Sequence, residues 1–377
     1  MMMVNEERIR QTFEELVRMY APSKGERAVC DYLKKRMKAL GADEIIEDNG
    51  GSINGGNSGN LIAKFAANAE NLPSIALTGH MDCVECCENI EPVRRDGVYY
   101  SNGNTVLGSD DKSGVAAILE GLELIKEKNI PHGKITVIFT VQEESGLGGS
   151  KNIETKYIEG IDFGYTLDGD GHAGNVYIEG PAQYTLTFTL HGKASHAGMA
   201  PEKGINAISM AASGIAQCPT GRIDEETTCN IGVIEGGIAT NIVPETCVVH
   251  VEARSRNDEK LEQIVKEIIH AFEDGIKSFD GGTMDVVKTK EYEAFRVKEN
   301  APMMTLFRKA CDNGGFEMKT AVSGGGSDAN WFGAKGFPSV LVGVGMADFH
   351  TNRENLAEKD LYEAGELVYR LIEAETK

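Results

Sequence analysis

The segment from Ser74 to Asp82 constrains the fold of this chain most, because it is a short apolar run that ends abruptly in polar residues. The apolar part predicts a buried β-strand, and Gly79-His80-Met81-Asp82 completes the segment. Alternate residues of an extended chain point to the same side, so His80 and Asp82 project together. This pair suits a metal-bound imidazole oriented by a carboxylate, although in isolation it is more typical of a polar strand end facing water.

Length and charge limit the classes of function. A chain of 377 residues exceeds one comfortable hydrophobic core and favours two domains. The formal net charge of −20 argues against a nucleic-acid or anionic-membrane partner. The N-terminus becomes charged at once, without the apolar core of a signal peptide, and no run approaches the ~18 apolar residues of a membrane span. These features predict a soluble, cytoplasmic protein.

The eight cysteines are expected to be free thiols rather than a disulfide framework. Three of them, Cys83, Cys86 and Cys87, cluster just after Asp82. They could suggest zinc ligands, but no second Cys/His pair at zinc-finger spacing follows, so packing explains them more simply.

Helical and strand patterns alternate through the first half of the chain and again near its end. Apolar residues at i, i+3 and i+4 spacing predict helices, and short β-branched or apolar runs predict strands. Residues 49–60, which are rich in Gly, Asn and Ser, predict a surface loop. Strands that alternate with helices indicate an α/β fold with a mixed, mostly parallel sheet flanked by helices. The predicted elements are helices at 5–20, 29–40, 111–128, 301–313 and from Lys359, and strands at 61–65, 74–79, 134–140, 161–167 and 339–345.

The pattern changes near Pro181, where apolar residues alternate with threonines. This alternation is typical of a half-exposed antiparallel strand. A helix, two strands, a long helix and a last strand follow, which is the β-α-β-β-α-β order of a ferredoxin-like α+β unit. We therefore predict one α/β domain built from residues 1–181 and 295–377, with a small α+β domain inserted at 182–294.

Polar side chains that could bind a metal stand at five places where predicted strands end or helices begin. The five places are His80 with Asp82, Asp110 with Asp111, Glu143 with Glu144, Asp168, and Asp348 with His350. Alone, the paired aspartates could cap a helix, the paired glutamates could be solvated, and Asp168 could belong to a turn. The carboxyl ends of strands in an open α/β sheet converge on one crevice, so their common position favours a shared site.

These motifs resemble those of the dinuclear metallopeptidase family that includes peptidase T, glutamate carboxypeptidase and aminoacylase, and within it those of peptidase T-like tripeptidases. The resemblance covers nearly the whole chain, including the inserted domain. One departure is Cys83, which stands where relatives usually carry threonine, and the chain is also shorter than a typical peptidase T. The matching segments are Gly79–Asp82, Gly108–Gly114, Gln142–Gly146, Thr166–Gly169, Ser195–Gly204, Ser323–Asp328 and His350.

The resemblance implies two divalent metal ions per chain. His80 and Asp168 would hold one ion. Glu144 and His350 would hold the other, and Asp110 would bridge the two. Imidazole and carboxylate ligands suit zinc, and they also admit manganese or cobalt.

The resemblance also implies roles around the metals. Asp82 would orient its neighbouring histidine, and Glu143 would be the general base. The inserted domain would act as a lid and dimerisation domain, and it would contribute His196, Asn241 and Arg254 to substrate binding. In relatives the equivalent histidine reaches the active site, often that of the partner subunit, and a guanidinium fork suits a substrate carboxylate.

The sequence therefore predicts a cytoplasmic, homodimeric, two-metal aminopeptidase that hydrolyses short peptides, in particular tripeptides. The same metal ligands would serve a carboxypeptidase or an N-acyl-amino-acid deacylase, and only the substrate pocket would separate these activities. A third hypothesis is an inactive relative that binds peptides as a scaffold. The presence of both histidines, all the carboxylates and Glu143 argues against such a scaffold.

Overall fold

The computed structural model describes residues 2–376, and these residues form two compact units. The first unit comprises residues 2–179, 295–323 and 327–376, and the second comprises residues 180–294 together with 324–326. The sequence-based boundaries differ from this division at two places. The second unit begins at Gly180 rather than at residue 182, and it includes the short glycine segment Gly324–Gly326.

Helices and strands alternate along most of the described chain. The helices are α1 (Glu6–Val17), α2 (Arg27–Leu40), α3 (Ser109–Lys128), α4 (Gly148–Asn152), α5 (Ala207–Ile215), α6 (Asp258–Ile276), α7 (Pro302–Gly314), α8 (Asp328–Lys335) and α9 (Glu358–Ala374). The strands are β1 (Glu44–Glu47), β2 (Leu61–Phe65), β3 (Ile75–His80), β4 (Val93–Arg95), β5 (Val98–Tyr100), β6 (Ile135–Thr140), β7 (Phe163–Gly169), β8 (Asn175–Gly180), β9 (Ala182–His191), β10 (Gly221–Arg222), β11 (Thr227–Gly236), β12 (Thr246–Ser255), β13 (Thr283–Tyr292), β14 (Phe295–Arg296), β15 (Lys319–Val322), β16 (Ser339–Gly343), β17 (Met346–Ala347) and β18 (Asn355–Ala357). Within residues 2–376, no helix combines the length and the apolarity that crossing a bilayer requires.

The first unit is built on a mixed sheet. Its strands follow the order β1-β2-β6-β3-β7-β16-β8-β14, with β15 beside β8. The centre is parallel, because β3 pairs in parallel with both β6 and β7, and β7 pairs in parallel with β16. Towards the edges, β2 runs antiparallel to β6, and β8 runs antiparallel to β16. The predicted α/β fold with a mixed, mostly parallel sheet is therefore confirmed.

The three central strands end at one edge of this sheet. His80 pairs with Thr140 in parallel register, so β3 and β6 end level with each other. On the other side of β3, β7 runs in the same direction and continues to Gly169. Every residue of β3 and β6 is buried, as expected of parallel strands covered on both faces. Side chains that follow these strand ends therefore share one crevice.

Helix α3 packs on the sheet so closely that it requires a glycine. A Cβ atom on Gly114 would lie 1.8 Å from the carbonyl oxygen of Leu167 in β7. That separation is far shorter than a van der Waals contact, so only a residue without a Cβ allows the helix this close. The approach brings the first turn of α3 beside the end of β7.

The second unit has a hydrophobic core of its own. Its antiparallel sheet has the strand order β10-β11-β12-β9-β13, and α5 and α6 pack on it. The rings of Phe188 in β9 and Phe272 in α6 stack with their centroids 3.9 Å apart. Where the two helices meet, a Cβ on Gly275 would lie 2.5 Å from the nitrogen of Gly214. Apart from the short strand β10, the element order is the predicted β-α-β-β-α-β, and the inserted α+β fold is confirmed.

The prediction of a surface loop at residues 49–60 is wrong in part. Gly50–Asn54 forms a 3-10 helix, and residues 50–51 and 58–60 are buried whereas residues 52–55 are exposed. Asn60 donates hydrogen bonds to the carboxylate of Asp48 at 2.8 Å and to the carbonyl of Gly149 at 3.0 Å. A Cβ on Gly59 would lie 1.8 Å from the carbonyl oxygen of Asp48. Gly51 and Gly59 thus serve close backbone packing, whereas Gly55 is exposed to solvent.

The contact between α3 and β7 predicts opposite effects for two helical glycines of the first unit. Gly114→Ala should lower the free energy of unfolding by about 1–3 kcal/mol, because the added methyl group pushes α3 away from β7. Gly333→Ala in α8 is the control, since its Cβ would meet only Phe295 Cβ at 3.9 Å and glycine is the poorer helix former. That substitution should raise the free energy of unfolding by up to about 1 kcal/mol. Denaturant titrations giving the same change for both variants would contradict this packing.

Candidate metal centre

The five predicted metal ligands come together in the first unit, at the carboxyl ends of the central strands. Among residues 2–376, three groups of possible ligands have atoms that all lie within 4.8 Å of one another. The groups share members, so they form one cluster. They are His80 with Asp110 and Asp168, Asp110 with Glu144 and His350, and His80 with Glu143 and Glu144.

Asp110 occupies the middle of this cluster. Its Oδ1 lies 2.9 Å from Nε2 of His80, and its Oδ2 lies 3.1 Å from Nε2 of His350. The outer carboxylates flank the same two nitrogens, with Asp168 Oδ1 at 3.5 Å from His80 and Glu144 Oε1 at 3.0 Å from His350. Because each oxygen of Asp110 faces a different imidazole, this carboxylate has the geometry of a bridging ligand.

Asp82 connects the strand end to the turn after β6. One of its oxygens lies 3.3 Å from Nδ1 of His80, while Nε2 of the same ring faces Asp110 in the cluster. Its carboxylate also accepts the backbone N–H of Glu143 at 3.0 Å and of Glu144 at 3.2 Å. The hydroxyl of Ser23 donates to it at 2.6 Å. Asp82 therefore lies beside the imidazole that it is predicted to orient, and it accepts hydrogen bonds from the turn that carries the two glutamates.

Asp111 and Lys112 bind the backbone segments that carry the cluster. The peptide bond between Asp110 and Asp111 is cis. The Asp111 carboxylate accepts the N–H of His80 at 3.1 Å and of Gly114 at 3.1 Å, so it joins the end of β3 to the first turn of α3. The buried ammonium of Lys112 donates to the carbonyl of Asp82 at 2.8 Å. Both side chains are thus committed to positioning the backbone around the cluster.

The loop that carries His350 has an unusual backbone. Asp348 has a φ of 50° and His350 a φ of 61°, a left-handed conformation that non-glycine residues adopt at a cost of order 1–3 kcal/mol. The hydroxyl of Thr351 donates to the carbonyl of Asp348 at 2.7 Å and closes the turn. Such conformations persist where surrounding contacts determine them, and here they aim the imidazole at Asp110 and Glu144.

The electrostatics of the cluster fit a cationic occupant. Burial, together with the charges of Asp110 and Glu144, raises the pKa of Asp168 to about 8. Burial and the charge of Asp168 likewise raise the pKa of Glu143 well above its ordinary value. Divalent cations would offset this concentration of negative charge, and imidazole and carboxylate donors suit zinc, manganese or cobalt. The residues present therefore fit a metal centre.

Two further residues take part that the sequence left without a role. Asp328, at the start of α8, is fully buried and accepts hydrogen bonds from the hydroxyls of Thr140 and Ser150. Its charge contributes to the raised pKa of Glu143. Taken alone, Ser327-Asp328 is typical of an ordinary helix start. The only signal in the sequence was that this segment belongs to one of the motifs shared with the metallopeptidase family. Ser23 gave no signal, because it stands in a turn 59 residues before Asp82.

The predicted substrate-binding residues lie in the second unit. His196 is exposed, and its Nδ1 accepts the N–H of Gly198 at 3.1 Å and of Met199 at 3.2 Å, so the proton of the neutral ring sits on Nε2. The N–H of Ala197 donates to the carbonyl of Asn241 at 3.0 Å, which places the His196 and Asn241 segments side by side. Arg254 projects from β12 and donates to the carboxylate of Glu252 at 2.9 Å.

Comparison with known proteins identifies the family. The model of the Peptidase family M20/M25/M40 matches residues 76–374. This chain belongs to that family. Among solved structures, the peptidase resembles aminopeptidase PepT from Bacillus cereus ATCC 10987, with 40% identity, a TM-score of 0.90 and complete coverage of both chains. It also resembles a tripeptidase from Staphylococcus aureus subsp. aureus Mu50, with 36% identity, a TM-score of 0.93 and complete coverage of both chains.

A protein of Bacillus subtilis strain 168, the uncharacterised YqjE, is 39% identical over 375 residues and is also covered completely. Such identity along the full length extends the likeness to both units. The predicted resemblance to a metallopeptidase family and the assignment as a peptidase are therefore confirmed.

The position of Asp110 predicts how the protein responds to metal. Divalent cation added to chelator-treated protein should raise the melting temperature, with about 4 kcal/mol of stabilisation at 1,000 times the dissociation constant. Asp110→Ala should abolish this shift and lose both ions in elemental analysis, because each oxygen of Asp110 faces a different imidazole. Asp312→Ala, an exposed site on α7, should keep both. Active wild-type protein holding one tightly bound ion would contradict a dinuclear centre.

Proposed function

We propose that this peptidase uses two metal ions to remove the N-terminal residue from short peptides, in particular tripeptides. The observation that carries the proposal is the Asp110 carboxylate between the His80 and His350 imidazoles, with Glu143 beside the cluster. The names of the two similar structures, an aminopeptidase and a tripeptidase, support the substrate class. Neither a carboxypeptidase nor a deacylase is favoured by those relatives, and an inactive scaffold would have no use for this cluster.

The distances between the ligand atoms support the metal roles that we propose. His80 and Asp168 would hold one ion. Glu144 and His350 would hold the other, with Asp110 shared between them. When bound, such a pair of ions polarises the scissile carbonyl and lowers the pKa of the attacking water. Zinc is the ion we propose, because two imidazoles with carboxylates suit it, and manganese and cobalt are the alternatives to test.

Glu143 is the proposed proton carrier. Its neighbour Glu144 is paired with His350 at 3.0 Å, whereas Glu143 has no such partner among the hydrogen bonds of the described residues. The hydrogen bond from its backbone N–H to Asp82 fixes where its side chain begins. From there its carboxylate takes a proton from the attacking water and delivers it to the departing amine. Asp82 contributes indirectly, by orienting His80 and by holding the turn that carries both glutamates.

The second unit is the proposed lid and dimerisation domain. Strand β10 pairs only with Thr228 and Cys229, which leaves the outer edge of β11 from residue 230 onwards without a strand among the described residues. Val233 and Ile234 on this segment are 46% and 50% exposed. An unpaired edge with apolar side chains suits a second copy of the chain across a two-fold axis. His196, Asn241 and Arg254 would bind substrate, with His196 serving the partner's active site.

The proposed compartment is the cytoplasm. All eight cysteines are free thiols, and seven of them are buried. Reduced thiols in this number are typical of a compartment that keeps glutathione and thioredoxin reduced.

The proposed base separates an enzyme from a scaffold. Glu143→Gln keeps the shape of the side chain but cannot accept a proton, so kcat on tripeptides should fall by about 10²–10⁴. Metal content and peptide affinity should remain near wild type. Glu144→Gln is the matched control, and it should lose metal first and activity as a consequence.

Turnover by Glu143→Gln within a few-fold of wild type would refute this mechanism. The assay panel should contain free tripeptides, dipeptides, C-terminally blocked peptides and N-acyl amino acids, with zinc, manganese or cobalt. If wild type cleaves none of them with any of these ions, the scaffold hypothesis replaces the enzyme.

The cross-subunit role of His196 predicts complementation. His196→Ala and Glu143→Ala chains should each be inactive, but a mixed dimer pairs one intact His196 with one intact Glu143. Mixing the two variants should therefore restore part of the activity, measured as released amino acid. Mass spectrometry of isotope-labelled chains controls for subunit exchange, and exchange without recovered activity would refute the role.

A further inference from the structure

We propose that Glu354 is a positioning residue of the metal centre, holding the backbone of Asp110 so that its carboxylate stays between the two imidazoles. The inference rests on the proposed two-metal function. Glu354 stands four residues after His350, and it is 1% exposed. It has no contact with the ligand atoms themselves among the described hydrogen bonds, so it would act through the backbone it binds.

The Glu354 carboxylate accepts four hydrogen bonds from consecutive residues. Oε2 accepts the N–H of Leu107 at 2.7 Å and of Gly108 at 3.0 Å. Oε1 accepts the hydroxyl of Ser109 at 2.6 Å and the N–H of Asp110 at 3.1 Å. Both carboxylate oxygens thus accept hydrogen bonds from this one turn, and these hydrogen bonds are of the strong, charge-assisted kind.

The turn needs such a partner, because it precedes regular helix. The first N–H groups of a helix have no acceptor within the helix. Gly108 takes a left-handed φ of 75°, and Asp110 has non-helical angles although it lies inside α3. The backbone from Leu107 to Asp110 therefore has N–H donors, but no regular hydrogen bonding of a helix holds this segment in place. Glu354 provides the acceptors and sets the point from which the Asp110 side chain projects.

The same residue belongs to the loop that presents His350. Its N–H donates to the carbonyl of Thr351 at 3.2 Å, and its own carbonyl accepts the N–H of Ser101 at 3.2 Å. One side chain thus ties the bridging aspartate to the loop of a histidine that lies 240 residues later in the chain. Loss of this tie should let the two ligands move independently and weaken the binding of both ions.

The experiment compares two buried glutamates in the full-length protein. A carboxamide accepts hydrogen bonds at its oxygen only, so Glu354→Gln leaves two of the four donors facing an NH₂ group. Glu120→Gln is the control. Glu120 lies ten residues after Asp110 on α3, its side chain is 1% exposed, and it accepts the N–H of Asn5 at 2.8 Å and the guanidinium of Arg8 at 2.6 Å.

Chelator competition with zinc gives the dissociation constants, and thermal unfolding of the metal-free proteins gives the cost to the fold. We expect both variants to lose melting temperature, but only Glu354→Gln to bind the ions more weakly, by about 10- to 100-fold. Wild-type dissociation constants in Glu354→Gln, or equal weakening in Glu120→Gln, would overturn the inference.

A milder variant covers the case in which Glu354→Gln does not fold. Ser109→Ala removes one donor and leaves the carboxylate with its three backbone partners, so it should fold and weaken metal binding by about two- to tenfold. Unchanged binding in that variant would then overturn the inference. Metal binding is measured without peptide, so this test is independent of peptidase activity. Wild-type protein that binds both ions but cleaves no peptide would refute the proposed function, and it would leave the role of Glu354 intact.

Discussion

The structure depends on holding four carboxylates close together in a buried crevice. Asp110, Glu143, Glu144 and Asp168 repel one another and lose hydration there, and both effects disfavour their charged forms. The rise in the pKa of Asp168 to about 8 is a consequence of these two effects. Two imidazoles offset part of it, and they hold the pKa of Asp110 below its usual range although burial alone would raise it. Divalent cations are the natural remaining compensation.

A second set of carboxylates surrounds the first and is engaged in hydrogen bonds with the backbone and with hydroxyls. Asp82, Asp111 and Glu354 are fully buried, yet each accepts hydrogen bonds from backbone N–H groups or hydroxyls. These hydrogen bonds offset part of the cost of burying the three carboxylates. They fix the positions of the strand end, the helix start and the turns that carry the four inner carboxylates. The site is therefore a rigid arrangement of backbone as much as a set of ligands.

This arrangement explains why both ends of the chain build the first unit. The ligands include His80 at the end of β3, Glu144 after β6 and Asp168 in β7, but the supports of the site include Ser23 near the N-terminus and Glu354 near the C-terminus. The second unit interrupts the chain between these parts without sharing their core, since its helices and sheet enclose their own stacked pair, Phe188 and Phe272. Because the second unit has its own core, it can have a function of its own. We propose that this function is substrate binding and pairing between subunits.

The sequence by itself indicated the long helices, the central strands β3, β6, β7 and β16 and the polar residues near their ends, and the family resemblance selected His80, Asp110, Glu144, Asp168 and His350 as ligands. Each strand is a continuous apolar run with a polar side chain after it, and parallel strands bring such ends to one edge. The burial of residues 50–51 and 58–60 and the parts played by Ser23, Asp328 and Glu354 were decided only by the tertiary structure. The physical reason is that a side chain bound to backbone N–H groups 244 residues away leaves no periodicity or spacing in the sequence. Alone, Glu354 is one acidic residue among 58 aspartates and glutamates, and only the folded chain shows which donors surround it.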